Sequence, residues 1–188
     1  MMKRLIKQIL KEELESLNVD QDPQLITPDE ESGLSTVILV GGLDTGSYKN
    51  IDKQKTLLEK GLGNNFKVIA HRWTNTSDAK KSIILYPNSY VVLFSKGCEY
   101  ATSLSDELQS NGGYLNRMYI VEPYSCSKGT KSIVDAAITK GVPKKNVLGG
   151  STDCTGNNVA GTKTLCASQG KEFHWCALTE VGEKISKK

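Results

Sequence analysis

From Ser35 to the carboxyl terminus, short apolar runs alternate with amphipathic stretches, and the period of the pattern switches each time. STVILVGG (35–42) is a compact apolar run closed by two glycines, as a strand buried on both sides requires. NIDKQKTLLEKGLG (50–63) has helical spacing and ends in glycines. FKVIAHRW (66–73) is the next strand, SDAKKSIILY (77–86) the next helix, and YVVLF (90–94) the third strand. KGCEYATSLSDELQSNGG (96–113) reads as a helix stopped by Gly112 and Gly113. LNRMYIVE (115–122), KGTKSIVDAAITKG (128–141), KKNVLGG (144–150) and FHWCALTEVGEKI (173–185) follow as strand, helix, strand and closing helix. Strict β–α alternation predicts an α/β fold. The expectation is a three-layer α/β/α sandwich around a mainly parallel sheet of about five to six strands.

The amino terminus follows another pattern. Leu5, Ile6, Ile9, Leu10, Leu14 and Leu17 recur on one helical face. Lys3 and Arg4 resemble the opening of a signal peptide, but Lys7, Lys11, Glu12, Glu13 and Glu15 interrupt any apolar core, so no signal peptide is expected. The stripe has to be covered by its own domain, by a partner or second copy of the chain, or by a surface. The polar, acidic stretch after it, with Pro23 and Pro28, reads as a linker. The expected organisation is an amphipathic helix at 1–19, a linker at 20–34 and the α/β domain at 35–188. Over Met2–Glu13 the sequence resembles the amino-terminal tails of some virion-associated proteins of tailed marine phages. That resemblance implies a virion-associated placement beside the cytoplasmic one.

At 188 residues the chain is long enough for one full core. A net charge of +3 offers no electrostatic footprint for nucleic acid, and no apolar run reaches the ~20 residues of a membrane helix. The five cysteines, Cys98, Cys126, Cys154, Cys166 and Cys176, form no CxxC, and there are only two histidines. No metal site is expected. Reduced thiols are the expectation in a cytosolic setting, with a bridge from Cys154 to Cys166 or Cys176 as the oxidised alternative.

In a parallel sheet the ligand site lies outside the carboxyl ends of the strands. The residues following the strands are Gly41–Asp44, His71–Trp73, Ser95–Gly97, Glu122–Tyr124 and Gly149–Asp153. Ser95 stands between a strand and a helix. A sharp turn there lifts the hydroxyl above the sheet and aims the first helical amides at it. The alternative is an ordinary serine N-cap. No Walker loop or GxGxxG spacing is present, so no nucleotide or other cofactor is expected.

This constellation resembles the α/β-hydrolase superfamily in its small, lidless form, over Ser35 to Lys188. The nucleophile elbow G-x-S-x-G corresponds to Leu93-Phe94-Ser95-Lys96-Gly97, with Leu93 in place of the first glycine. The chain order Ser95, Asp153, His174 is that of the family's serine, acid and histidine. The resemblance implies a serine hydrolase that cleaves an ester or amide through an acyl-enzyme. Glu122 is the alternative acid, and the Leu43 and Lys96 amides are the oxyanion donors. Asp153 reads alternatively as part of an Asx-turn and His174 as a structural histidine.

Between Glu122 and Asp153 one helix and one strand use up the chain, so no cap fits. An open site favours a small acyl ester or an exposed polymer. His71, Trp73, Tyr124 and Trp175 are candidate substrate contacts, or else core residues. The competing reading is a catalytically silent α/β-hydrolase-like domain for binding or assembly, attached through its amino-terminal helix. Leu93 and Gly41 favour it, because each replaces a residue of the family pattern.

Overall fold

The computed structural model describes residues 33–43, 50–125, 129–149 and 173–188. The amphipathic helix expected at 1–19, positions 20–32 of the expected linker at 20–34, and Asp153 lie outside the described residues. Leu34–Lys188 forms one compact unit.

Its centre is a five-stranded, all-parallel sheet in the order β2-β1-β3-β4-β5. The strands are β1 (Ser35–Val40), β2 (Phe66–His71), β3 (Tyr90–Phe94), β4 (Met118–Val121) and β5 (Val147–Leu148). The helices are α1 (Ile51–Leu62), α2 (Thr76–Leu85), α3 (Ala101–Ser110), α4 (Thr130–Lys140) and α5 (Phe173–Ser186). The expected α/β class with a parallel sheet is therefore observed.

Successive strand residues point to opposite faces, and they feed two separate cores. Ile38, Val40, Val91, Leu93, Met118, Ile120 and Val147 join Ala79 and Ile83 of α2, Leu104 and Leu108 of α3, and Val134 and Ala137 of α4. Val37, Leu39, Val92, Phe94, Tyr119 and Val121 join Leu58 and Leu62 of α1 with Leu178, Val181 and Ile185 of α5. Both sides of the central strands are thus buried from Val37, Val91 and Met118 onward, which is why the sequence there is so largely apolar.

Three elements depart from the sequence pattern. The segment after β3 opens as a 3₁₀ helix (Ser95–Tyr100) before α3 begins at Ala101. The cause is crowding: Gly97 passes so close to the Val40 and Gly41 carbonyls that a Cβ there would collide with both. β4 and β5 are shorter than their apolar runs. Leu115–Arg117 and Lys144–Asn146 form 3₁₀ turns instead of strand. Cys176 is disulfide-bonded, so the expectation of reduced thiols gives way at that position, while Cys98 is a buried free thiol.

α1 and α5 cross at a pair of glycines. A Cβ on Gly61 would collide with the Thr179 carbonyl, and one on Gly182 would lie 2.6 Å from the Leu58 carbonyl oxygen. The Thr179 hydroxyl donates to the Leu57 carbonyl at 3.0 Å, locking the register of the crossing. Glycine inside a helix costs about 1 kcal/mol relative to alanine. At this crossing the sign must invert: Gly61→Ala is expected to destabilise the domain by about 2 kcal/mol, the scale of core overpacking. Urea unfolding followed by circular dichroism checks this. A raised midpoint would show that the helices do not meet there.

Candidate functional site at the carboxyl edge of the sheet

The register aligns Val40 with His71 and Leu93, Phe94 with Val121, and Val121 with Leu148. All five strands therefore end on one edge. After β1 the chain passes to α1, which packs with α5 in one core, and after β3 it passes to α3 in the other. The two connections diverge between neighbouring strands, and such a divergence is where open α/β sheets form a ligand crevice.

Ser95 stands at that point. Its backbone has φ 52°, and among the described non-glycine residues only Glu122, at φ 45°, shares a positive value. A left-handed backbone costs an L-residue about 1–2 kcal/mol and persists only where the surroundings enforce it. Here the enforcement is visible. A Cβ on Gly42 would lie 2.6 Å from Ser95 Cβ and 3.1 Å from its Oγ, so the loop after β1 is pressed onto the serine. The Ser95 carbonyl accepts the Tyr124 N–H at 3.2 Å. Leu93, at the place of the first elbow glycine, is buried in the core with Ile38 and Leu104.

The loop after β1 is itself held by a residue the sequence analysis passed over. Gln54 of α1 is fully buried, and its Oε1 accepts the Gly42 N–H at 3.0 Å. Its signal was present: a polar residue at helical spacing from Leu58 and Leu62, on the apolar stripe of α1.

Glu122 is 1% exposed. Its N–H donates to the Leu148 carbonyl at 2.8 Å, and its carboxylate occupies the space where a Cβ on Gly149 would stand. The alternative acid thus lies under the start of the loop that leads to Asp153. His174 belongs to α5, whose first turn reaches the carboxyl edge: the Trp175 ring packs 5.5 Å from that of Phe94, next to Ser95. At the other end of α5, Lys188 Nζ sits over Tyr119 and Lys184 donates to the Lys145 carbonyl.

The three candidate aromatic contacts converge on consecutive residues. Trp175 touches Phe94, Tyr124 bonds Ser95, and the Trp73 ring lies 5.6 Å beneath the Lys96 ammonium. Lys96 also donates to Glu99 Oε1, which takes the Ser125 hydroxyl as well. With side chains 15% and 8% exposed, Lys96 and Glu99 are largely withdrawn from solvent screening. Leu43 is half-buried beside Gly42.

Two groups at this end of the fold are committed elsewhere. His71 Nε2 pairs with the Ser82 hydroxyl of α2 at 2.8 Å. Burial lowers its pKa from 6.5, opposed in part by the charge of Asp78. The Cys98 thiol donates to the Leu93 carbonyl at 3.2 Å, and burial pushes its pKa up, which withholds the thiolate. Among the described residues no His, Cys, Asp and Glu cluster could hold a metal ion, and no helix is long and apolar enough to cross a membrane. No family model, curated protein or solved structure matches the chain.

The lowered pKa of His71 links stability to pH. The unfolded chain binds the proton more tightly, so the contribution is complete above pH 6.5 and is lost as the pH falls through the lower folded value. Urea midpoints should therefore drop between pH 7.5 and pH 5, and His71→Gln should lessen that drop. Parallel pH profiles for the two proteins would exclude the linkage.

Proposed function

We propose that this domain is a serine hydrolase of α/β-hydrolase type, a three-layer α/β/α sandwich that cleaves an ester or amide bond through an acyl-enzyme. The observation that carries the reading is the positive φ of Ser95 at the divergence of the β1 and β3 connections, under a loop pressed onto it by Gly42. A serine used only to cap a helix needs an extended backbone and no such strain. A nucleophile elbow needs both the strain and the neighbouring loop.

In this mechanism His174 takes the proton from Ser95 Oγ as the oxygen attacks the substrate carbonyl. Asp153 orients the imidazole and stabilises its charged form, and Glu122 is the alternative acid. The amides of Leu43 and Lys96 receive the oxyanion, each contributing about 3 kcal/mol. His174 then protonates the leaving group, and water attacks the acyl-enzyme by the same route in reverse. The absence of room for a cap in the sequence suits a small acyl ester or an exposed polymer. Trp73, Tyr124 and Trp175 would supply the rim, and His71 would contact substrate only by leaving Ser82. The amino-terminal helix would serve self-association or docking, in the cytoplasm or on a virion.

The 6% exposure of Ser95 favours a second reading, a catalytically silent domain of the same fold used for binding or assembly. A fluorophosphonate probe separates the two: the hydrolase is labelled at Ser95, and the binding domain is not labelled. Two series of variants go further. Ser95→Ala should lower turnover of short p-nitrophenyl esters by three or more decades, roughly the cost of losing a triad member. Ser95→Gly should be equally inactive yet unfold at the same or a higher urea concentration, because glycine tolerates positive φ. Full activity in Ser95→Ala would dismiss the nucleophile.

For the acid, Asp153→Asn is expected to lose about 10⁴ in turnover and Glu122→Gln to remain within tenfold. The reverse order would make Glu122 the orienting group.

A further inference from the structure

Gln54 is the one polar side chain in the buried stripe of α1, with Leu58 and Leu62. One half of its amide is used, since Oε1 accepts the Gly42 N–H in a buried bond. The other half, Nε2, is buried with no hydrogen-bond partner among the described residues. An unsatisfied buried donor costs about 1–3 kcal/mol, the same range that pairing the buried Gly42 N–H saves, so in folding the two halves of the amide roughly offset. What glutamine supplies is the hold on Gly42, and Gly42 is the residue pressed against Ser95.

We infer that Gln54 is a positioning residue for the oxyanion loop: it fixes Gly42, and through it the neighbouring Leu43 amide, at the distance from Ser95 that the developing oxyanion requires. This rests on the hydrolase reading above. α1 is a rigid base for such a hold. Its carboxyl-terminal half is clamped to α5 through Gly61 and Gly182, so the Gln54 side chain is anchored from below. α5 carries His174, so the loop and the base are referenced to the same helix pair. Loss of the hold loosens an amide that must be in place only when charge develops, which penalises the transition state more than substrate binding.

The test uses Gln54→Met, which keeps length and removes the acceptor, and Gln54→Glu, which keeps an acceptor and adds a titratable charge. With short esters, Gln54→Met should lose about 10- to 100-fold in kcat, a fraction of the loss of a whole oxyanion donor, with KM within threefold. Its rate of fluorophosphonate labelling should fall in parallel, because that reaction also passes through an oxyanion at Ser95. In Gln54→Glu, kcat/KM should rise as His174 loses its proton and then fall as the buried carboxyl ionises beside the oxyanion, a descending limb absent from the wild type. A wild-type protein inert to the probe would overturn the hydrolase reading, and this inference with it. A labelled wild type with Gln54→Met labelled equally fast would overturn this inference alone. If Gln54→Met does not fold, the Gln54→Glu pH profile decides: an unchanged profile refutes the role.

Discussion

The contact between the loop after β1 and the turn after β3 governs the carboxyl edge of this protein. Two backbones that leave neighbouring strands for opposite faces must pass each other at their point of departure. They can do so here because Gly42 and Gly97 bring no side chain to the encounter. Gly97 lies against the Val40 and Gly41 carbonyls, and Gly42 lies against Ser95. Between them the serine is left a backbone with positive φ. The strain at Ser95 and the 3₁₀ opening of the following helix both follow from this crowding.

The same constraint is transmitted outward by hydrogen bonds at neighbouring strand ends. Gln54 holds the β1 loop from α1, and the Ser95 carbonyl holds the Tyr124 amide after β4. The Glu122 amide holds the Leu148 carbonyl at the end of β5. Each strand end is thereby tied to a neighbour, as Gly41 is to the His71 carbonyl at 2.9 Å. A buried amide left without a partner would cost about 1–3 kcal/mol, so the edge gains little by relaxing any one of these ties. Strain at one residue persists because its neighbours have no cheaper arrangement.

The two helix groups play unequal parts. α2, α3 and α4 fill one core with aliphatic side chains and offer the edge mainly the Lys96, Glu99 and Ser125 cluster at the start of the α3 connection. α1 and α5 also fill a core, but each extends to the edge. α1 reaches it with Gln54, and α5 reaches it with the turn that contains His174 and Trp175. Their glycine crossing makes one unit of the elements that would bear the oxyanion loop and the base.

The strand and helix succession was legible in the residues because both faces of the central strands are buried. STVILV, YVVLF and MYIV have no polar face to mask the pattern. Ser95, Glu122 and Gly97 could be placed at one edge for the same reason, since parallel strands linked by helices all end on the same side. Gln54 was visible as a polar residue in an apolar stripe, but its partner Gly42 was not. A side chain that bonds a backbone amide twelve positions away leaves no periodic trace. Nor could the sequence anticipate the positive φ of Ser95, the commitment of His71 to Ser82, or the shortening of β4 and β5. Local pattern determines which residues are buried and in which kind of element. How closely two backbones pass, and which polar groups meet where they pass, depends on elements far apart in the chain, and only the tertiary packing decides it.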